Sequence, residues 1–349
     1  MTWKHLSKVG VIGAGSFGTA IANVLAENQP VLLYVRNVEK MKVIEDAREC
    51  KGQKLNDHIT LTNDLPSFFE ECILIYPMVD SQNFREMCKS MRPYLRPDHV
   101  LIHGTKGLSV NPPEGYETME NPTLKREHIH TMTEVIRQET NVLRVGSLSG
   151  PNLSKELAAK KPAATVIASR FSEVIELGKL SLKNNRFRVY GSHDVLGVEL
   201  AGVLKNIMAI ASGISTGLDM GENARAMLLT RGLGEMIRLT KALGSDAKAF
   251  FGMAGIGDLM ATCASSKSRN YTIGFLLAQG NTLTESIEIL NDTAEGIRTT
   301  QTAYALCQNY KVRAPIISAM YDILYKDSNI PETLGALMSL ESNEDVDFL

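Results

Sequence analysis

The chain has little of what builds disulfide-stapled, nucleic-acid-binding or membrane proteins. Its five cysteines, Cys50, Cys72, Cys88, Cys263 and Cys307, are spread over 349 residues. No two stand at metal-ligand spacing, which excludes a disulfide framework and points to reduced, packed thiols in a cytoplasmic protein. The formal net charge is −2 and no basic block occurs, so a nucleic-acid partner has no electrostatic footing. No apolar run approaches a membrane span, and no charged-then-apolar leader precedes the first strand pattern. His128 and His130 come nearest to ligand spacing among scattered histidines, and no metal is expected. What is present is ordinary globular composition, in a chain longer than one core usually supports. Two domains are expected.

The most informative pattern lies near the start. An apolar strand, 9–12, runs into Gly13-Ala14-Gly15-Ser16-Phe17-Gly18, then an Ala/Leu-rich helix, then a second apolar strand. In this context Gly-x-Gly-x-x-Gly is a dinucleotide fingerprint. Gly13 permits the tight turn, Gly15 lets backbone approach a pyrophosphate, and Gly18 lets the helix pack on the sheet. The N–H groups opening that helix favour negative charge. Where an NAD site usually has a carboxylate for the ribose 2′-hydroxyl, the sequence reads Tyr34-Val35-Arg36-Asn37. Arginine cannot accept from that hydroxyl but can pair with a 2′-phosphate, which tilts the expectation from NADH towards NADPH. A solvated arginine at a strand end is the other reading.

Strand patterns at 59–62, 72–76 and 100–103, with a helix over 81–91, predict a parallel sheet wound with right-handed crossovers. Residues 109–123, with Pro112, Pro113 and Pro122, read as a surface excursion. A helix over 130–140 and strands over 142–147, 163–168 and 187–190 complete this part. From Asp194 onward the texture is helical, with segments predicted at 195–217, 222–242, 247–253, 271–279, 284–290, 299–308 and 314–325. The expected division is 1–192 and 193–349, hinged at Gly191-Ser192-His193. Substrate is expected beyond the strand ends, in the cleft between domains.

Hydride transfer at a carbonyl carbon needs a group that moves a proton at the oxygen. Lys106 follows Gly104-Thr105 at a strand end. Lys205 is a single lysine on an otherwise apolar, small-residue helix, so it is buried or lines a cavity, and burial disfavours its charged form. A lysine snorkelling to solvent is the plainer reading of each. Glycines around Asp258 suggest a tight path that aims this acid at a catalytic lysine, although a helix cap reads similarly. Ser268-Arg269-Asn270 opens a helix pattern and offers hydroxyl, guanidinium, amide and backbone N–H groups to a phosphate monoester. A surface cap is the alternative there. Gly150 and Asn152 lie at a strand end where they can touch substrate oxygens, and Glu295-Gly296 reads as a buried acid beside glycine.

Taken in order, these blocks resemble the bacterial type of NAD(P)-dependent glycerol-3-phosphate dehydrogenase, from the glycine motif to about residue 325. The resemblance implies a Rossmann-type α/β N-terminal domain and an all-α C-terminal domain like that of 6-phosphogluconate dehydrogenase. It implies Lys205 as proton acceptor, with Lys106 and Asp258 beside it. Ser268, Arg269, Asn270, Gly150 and Asn152 would hold substrate. Ser16, Phe17, Arg36, Lys106, Ser154, Arg269 and Glu295 would contact NADH or NADPH. Interconversion of dihydroxyacetone phosphate and sn-glycerol 3-phosphate for glycerophospholipid synthesis follows, and a homodimer is expected from the helical domain. The chain departs from the family pattern after Ser149-Gly150-Pro151, where a hydroxyl residue followed by Phe-Ala is usual and Asn152-Leu153-Ser154 stands instead. Residues 109–131 look longer than usual and form a lid or a subunit contact. Two other readings stay open: a sister enzyme of 3-hydroxy acids, which needs a carboxylate receptor, and a non-catalytic nicotinamide-sensing regulator.

Overall fold

A computed structural model describes residues 8–116, 122–340 and 346. The chain divides into two compact units, Met1–Ser109 with Thr131–Glu199, and Val110–His130 with Leu200–Leu349.

The first unit is built on an eight-stranded sheet: β1 (Val9–Ile12), β2 (Val31–Tyr34), β3 (Ile59–Thr62), β4 (Leu74–Pro77), β5 (Val100–His103), β6 (Arg144–Ser149), β7 (Ala163–Ser169) and β8 (Phe187–Ser192). The spatial order is β3-β2-β1-β4-β5-β6-β7-β8. The first six strands are mutually parallel, in the order of a doubly wound dinucleotide-binding sheet. The expected all-parallel sheet needs one correction. β7 pairs antiparallel with β6, and β8 follows β7 in parallel. The connection between these two strands carries only the five-residue helix Ser154–Ala158, and the chain returns beside β6 in the opposite sense.

Alternate strand residues enter opposite faces. Val9, Val31, Leu74 and Val100 pack with α1 (Ser16–Leu25) and α7 (Ser172–Leu182). Ile12, Leu32, Ile75 and Leu101 pack with α3 (Leu65–Glu71), α4 (Ser81–Met91) and α5 (Met132–Glu139). The helix α2 (Val38–Ala47) follows β2, with Asn37 as its cap. A hairpin of two-residue strands, Glu49–Cys50 and Gln53–Lys54, comes next. Between β6 and β7 stands the short helix α6 (Ser154–Ala158). Gly191 and Ser192, expected as a hinge, are register partners of Ile167 and Ala168 in the sheet.

α8 (Val195–Gly217) starts where Asp194 accepts the Gly197 N–H. By length and composition it is apolar enough to cross a membrane, contrary to expectation, yet 89% of its most apolar window is buried within the protein. That marks a core helix. Around it the second unit places α9 (Gly221–Ala242), α10 (Asp258–Cys263), α11 (Arg269–Ala278), α12 (Leu283–Leu290), α13 (Glu295–Tyr310), α14 (Pro315–Tyr325) and α15 (Ile330–Met338). A helix expected over 247–253 is instead a 3₁₀ turn, Lys248–Phe251, followed by a π turn, Met253–Gly257. α8 and α11 approach at backbone distance, because a Cβ at Gly274 would lie 1.9 Å from the Ile210 carbonyl oxygen. The excursion read as surface belongs to this second unit. Tyr116 and Leu124 are buried, Leu124 N–H donates to the Ala305 carbonyl, and Arg126 N–H donates to the Tyr310 hydroxyl. Residues 117–121 of it lie outside the described residues.

Candidate active site

The glycine turn follows β1 directly, where the strand order reverses between β1 and β4. Gly13 adopts φ +113°, and a Cβ there would lie 2.5 Å from the Met78 carbonyl oxygen. A Cβ at Gly18 would come within 1.9 Å of the Gly13 oxygen, while nothing lies within 4 Å of one at Gly15. The three positions therefore act as turn, packing point and open backbone surface. α1 begins at Ser16 with Gly15 as N-cap, no side-chain acceptor on its first N–H groups and no acid in its first turn. This cradle fits the phosphates of a dinucleotide. A Cβ at Gly104 would lie 2.6 Å from Met78 Sδ and 2.8 Å from the ring of Phe17, so both side chains close over this glycine.

Ser16 Oγ donates to Ser154 Oγ at 3.3 Å, which joins the first residues of α1 and α6. Arg36 is exposed just beyond β2. Lys40 on α2 reaches back to the Ala14 carbonyl, 3.4 Å from its Nζ, and adds a cation that sequence reading missed. At the end of β5, Thr105 donates to the Val79 carbonyl and half-buried Lys106 donates to the Gly150 carbonyl at 3.2 Å. Gly150 adopts φ +154°, and a Cβ there would lie 2.9 Å from the Ala164 carbonyl oxygen. Asn152 is buried. Its Nδ2 donates to the Ala164 carbonyl, and its Oδ1 has no partner among the described residues. The amide that replaces the usual hydroxyl thus keeps one acceptor uncommitted.

In the second unit Lys205 is 5% exposed and Asp258 is 2% exposed. Lys205 Nζ donates to Asp258 Oδ1 at 2.8 Å and to the Thr262 hydroxyl, which itself donates to Asp258 Oδ1 at 3.1 Å. The lysine is therefore half of a buried ion pair with the acid that the glycine-rich path was expected to aim at it. Asp258 begins α10 directly after the π turn, so the turn swings the first residue of α10 inward. Thr262, one helical turn on, completes the triangle; its spacing of four from Asp258 was the available signal.

Ser268 is buried, and its side chain caps α11 by accepting from the Tyr271 N–H at 3.4 Å. Arg269 is exposed and pairs with Asp292 at 2.9 Å and the Thr293 hydroxyl at 3.3 Å. Asn270 is buried, and its Oδ1 accepts the Gly296 N–H at 2.9 Å. A Cβ at Gly296 would lie 2.7 Å from the Asn206 carbonyl oxygen, which brings the residue after Lys205 to the start of α13. Glu295, read as buried, is half-buried.

The expected residues thus form two groups. Gly13 to Gly18, Arg36, Lys106, Gly150, Asn152 and Ser154 lie in the first unit; Lys205, Asp258, Ser268, Arg269, Asn270 and Glu295 lie in the second. A cavity of about 330 Å³ in the first unit, lined by Gln53, Lys54, Lys160 and Arg186, includes none of them. Among the described residues no group of three His, Cys, Asp or Glu side chains could hold a metal.

A doubly wound sheet with a dinucleotide turn at its switch point, continued by a helical unit carrying a buried lysine–carboxylate pair, defines the class: a two-part, dinucleotide-binding α/β protein. Family models described as the N-terminus and C-terminus of NAD-dependent glycerol-3-phosphate dehydrogenase match residues 8–175 and 194–335. The chain belongs to the NAD-dependent glycerol-3-phosphate dehydrogenase family. Glycerol-3-phosphate dehydrogenase [NAD(P)+] of Ectopseudomonas mendocina is 38% identical, over 99% of this chain and 98% of its own. The protein of the same name from Pseudomonas aeruginosa PAO1 is 37% identical over 98% and 97%. The crystal structure of glycerol-3-phosphate dehydrogenase from Coxiella burnetii superposes with a TM-score of 0.84 at 32% identity, covering 96% of this chain and 99% of that one. The Plasmodium falciparum enzyme shares the fold with the same TM-score at 19% identity, over 97% and 96%.

Proposed function

We propose that this chain, like its relatives named glycerol-3-phosphate dehydrogenase, acts on glycerol 3-phosphate, interconverting dihydroxyacetone phosphate and sn-glycerol 3-phosphate, and supplies the latter to glycerophospholipid synthesis. The observation that carries the reading is the closed Lys205–Asp258–Thr262 triangle, in a chain that also keeps an open dinucleotide turn. A bound nicotinamide dinucleotide supplies the hydride or accepts it. Lys205 gives a proton to the oxygen on the reacting carbon, or removes it in reverse. Asp258 and Thr262 hold the amine in place, and the ammonium groups of Lys205 and Lys106 oppose negative charge developing on that oxygen. Ser268, Arg269 and Asn270, with the N-terminus of α11, anchor the phosphate, so remote binding energy positions the reacting carbon. Gly150 and Asn152 contact substrate.

The cofactor residues in this reading are Gly13, Gly15, Ser16, Phe17, Gly18, Arg36, Lys106, Ser154, Arg269 and Glu295. Arg36, with Lys40 close by in sequence, favours NADPH over NADH. The domains are 1–192 and 193–349, the protein is cytoplasmic, and it forms a homodimer, for which exposed Phe251, Met253 and Met260 offer apolar surface. Light scattering at twice the chain mass checks the last point. The function is tested by following loss of NADH or NADPH absorbance with dihydroxyacetone phosphate. Turnover is expected with that substrate; turnover with 3-hydroxy or 3-keto acids alone, or with nothing, overturns the reading.

A further inference from the structure

Beside the glycine turn stands a side chain that the fingerprint does not include. Gln53 sits on the hairpin after α2 and is 6% exposed. The two residues at the hairpin tip, Lys51 and Gly52, have φ +53° and +73°, as a tight two-residue hairpin turn requires. Such a turn fixes the direction of the residue that follows it. Gln53 Nε2 lies 2.7 Å from the Ser16 carbonyl oxygen and 3.3 Å from Ser16 Oγ. From the same hairpin Cys50 Sγ reaches the Ala14 carbonyl at 3.4 Å. The hairpin therefore grips the dinucleotide turn at two points.

A backbone carbonyl only accepts, so the amide of Gln53 must present its NH₂ to Ser16 and not its oxygen. That orientation has a chemical consequence. Ser16 Oγ receives a hydrogen bond from Gln53, which leaves its own O–H to act as donor, here towards Ser154 Oγ. A pyrophosphate offers acceptors alone, so a bound phosphate oxygen would take that hydrogen in place of the long 3.3 Å contact to Ser154 Oγ. Gln53 Oε1 is buried and has no partner among the described residues. Half of the amide's bonding capacity is left unmet, which fits a residue placed for its NH₂.

We propose that Gln53 is a positioning residue for cofactor binding, setting the Ser16 hydroxyl as a hydrogen-bond donor to a dinucleotide phosphate. The inference rests on the reading that the phosphates lie at Ser16. It predicts that affinity for NADH and NADPH falls together when the donor is lost, because the pyrophosphate is common to both.

The test is titration calorimetry of NADH and NADPH on the full-length protein without substrate, beside thermal melting. Gln53→Met keeps the side-chain length and removes the donor; it should raise Kd about 3- to 10-fold, the size of one lost hydrogen bond. Gln53→Glu keeps the shape and reverses the polarity; it should raise Kd by more than about 10-fold. Both should raise the KM for dinucleotide more than they lower kcat. In a Ser16→Ala background the methionine change should cost less than about 2-fold, because the hydroxyl that the amide sets is gone and only its bond to the backbone carbonyl of residue 16 remains. An unchanged Kd in Gln53→Met, or the same loss with and without Ser16, overturns the proposal. If Gln53→Met melts below the assay temperature, Gln53→Glu carries the same cycle with Ser16→Ala. A wild-type protein that binds neither dinucleotide defeats the functional reading itself, a different result from wild-type binding that ignores Gln53.

Discussion

An ammonium out of water, held by one carboxylate and one hydroxyl, has its place set by two hydrogen bonds and its charge balanced by a single neighbour. Lys205→Ala should leave dinucleotide affinity nearly intact and cut kcat by roughly 10²-fold or more, because the proton-transfer group is gone. Thr262→Val should cut kcat less, by about 10-fold, since Asp258 still holds the amine after one hydrogen bond is lost. Steady-state kinetics on both variants check the order; a threonine variant worse than the lysine variant would reverse their roles. Lys205 was legible in sequence because a charge among apolar helix neighbours has to find a buried partner. Asp258 was legible through the glycines around it. Thr262 was not, because a threonine one turn after an acid is common and gives no sign of which way it faces. Gln53 was hidden for another reason: its partner, Ser16, is 37 positions away and reaches it only through tertiary folding.

Helix α14 has an N-terminus served from another helix. Glu235 on α9 is buried, and its two carboxylate oxygens accept the N–H groups of Ile316 at 2.7 Å and Ile317 at 2.9 Å. Burial pushes its pKa up from 4.5 to about 7, against the lowering effect of those N–H groups and of Arg238 and Arg313. A folded-state pKa above the unfolded one means that the native state binds the extra proton. Its stabilising contribution is complete below about pH 4.5 and is lost as pH rises through about 7. Glu235→Gln removes that titration. The unfolding free energy of the wild type relative to Glu235→Gln, measured by denaturant melts, should therefore fall between pH 5 and pH 8, by an amount bounded at ~3 kcal/mol. Parallel curves for the two proteins would assign the dependence elsewhere. Sequence pattern located most of these elements well, α8 and α4 among them, because Asp194 caps α8 and Phe84, Cys88 and Met91 line one buried face of α4. It did not give the direction of β7, since an apolar strand reads alike in either sense. Nor did it foresee the π turn before Asp258, where a glycine-rich run has no periodicity to read.

At the scale of the whole chain, the sequence carried the change from sheet to helix near Asp194, because β-branched alternation stops there. It did not carry the allegiance of 110–130, whose buried side chains include Tyr116, Leu124 and Ile129, in a proline-rich stretch with no periodic signal. The five thiols have a use that follows from where they sit. All are buried, and desolvation raises Cys72, Cys88, Cys263 and Cys307 to about 12. Since the thiolate is the nucleophile, iodoacetamide should leave the native protein almost untouched and modify it only as fast as the structure opens. Three of these sulfurs fall in the first unit and two in the second. Mass-resolved alkylation in rising urea should then time the loosening of each unit separately, with no label added. Rapid modification of any one site in buffer would expose a local opening there that the static packing conceals.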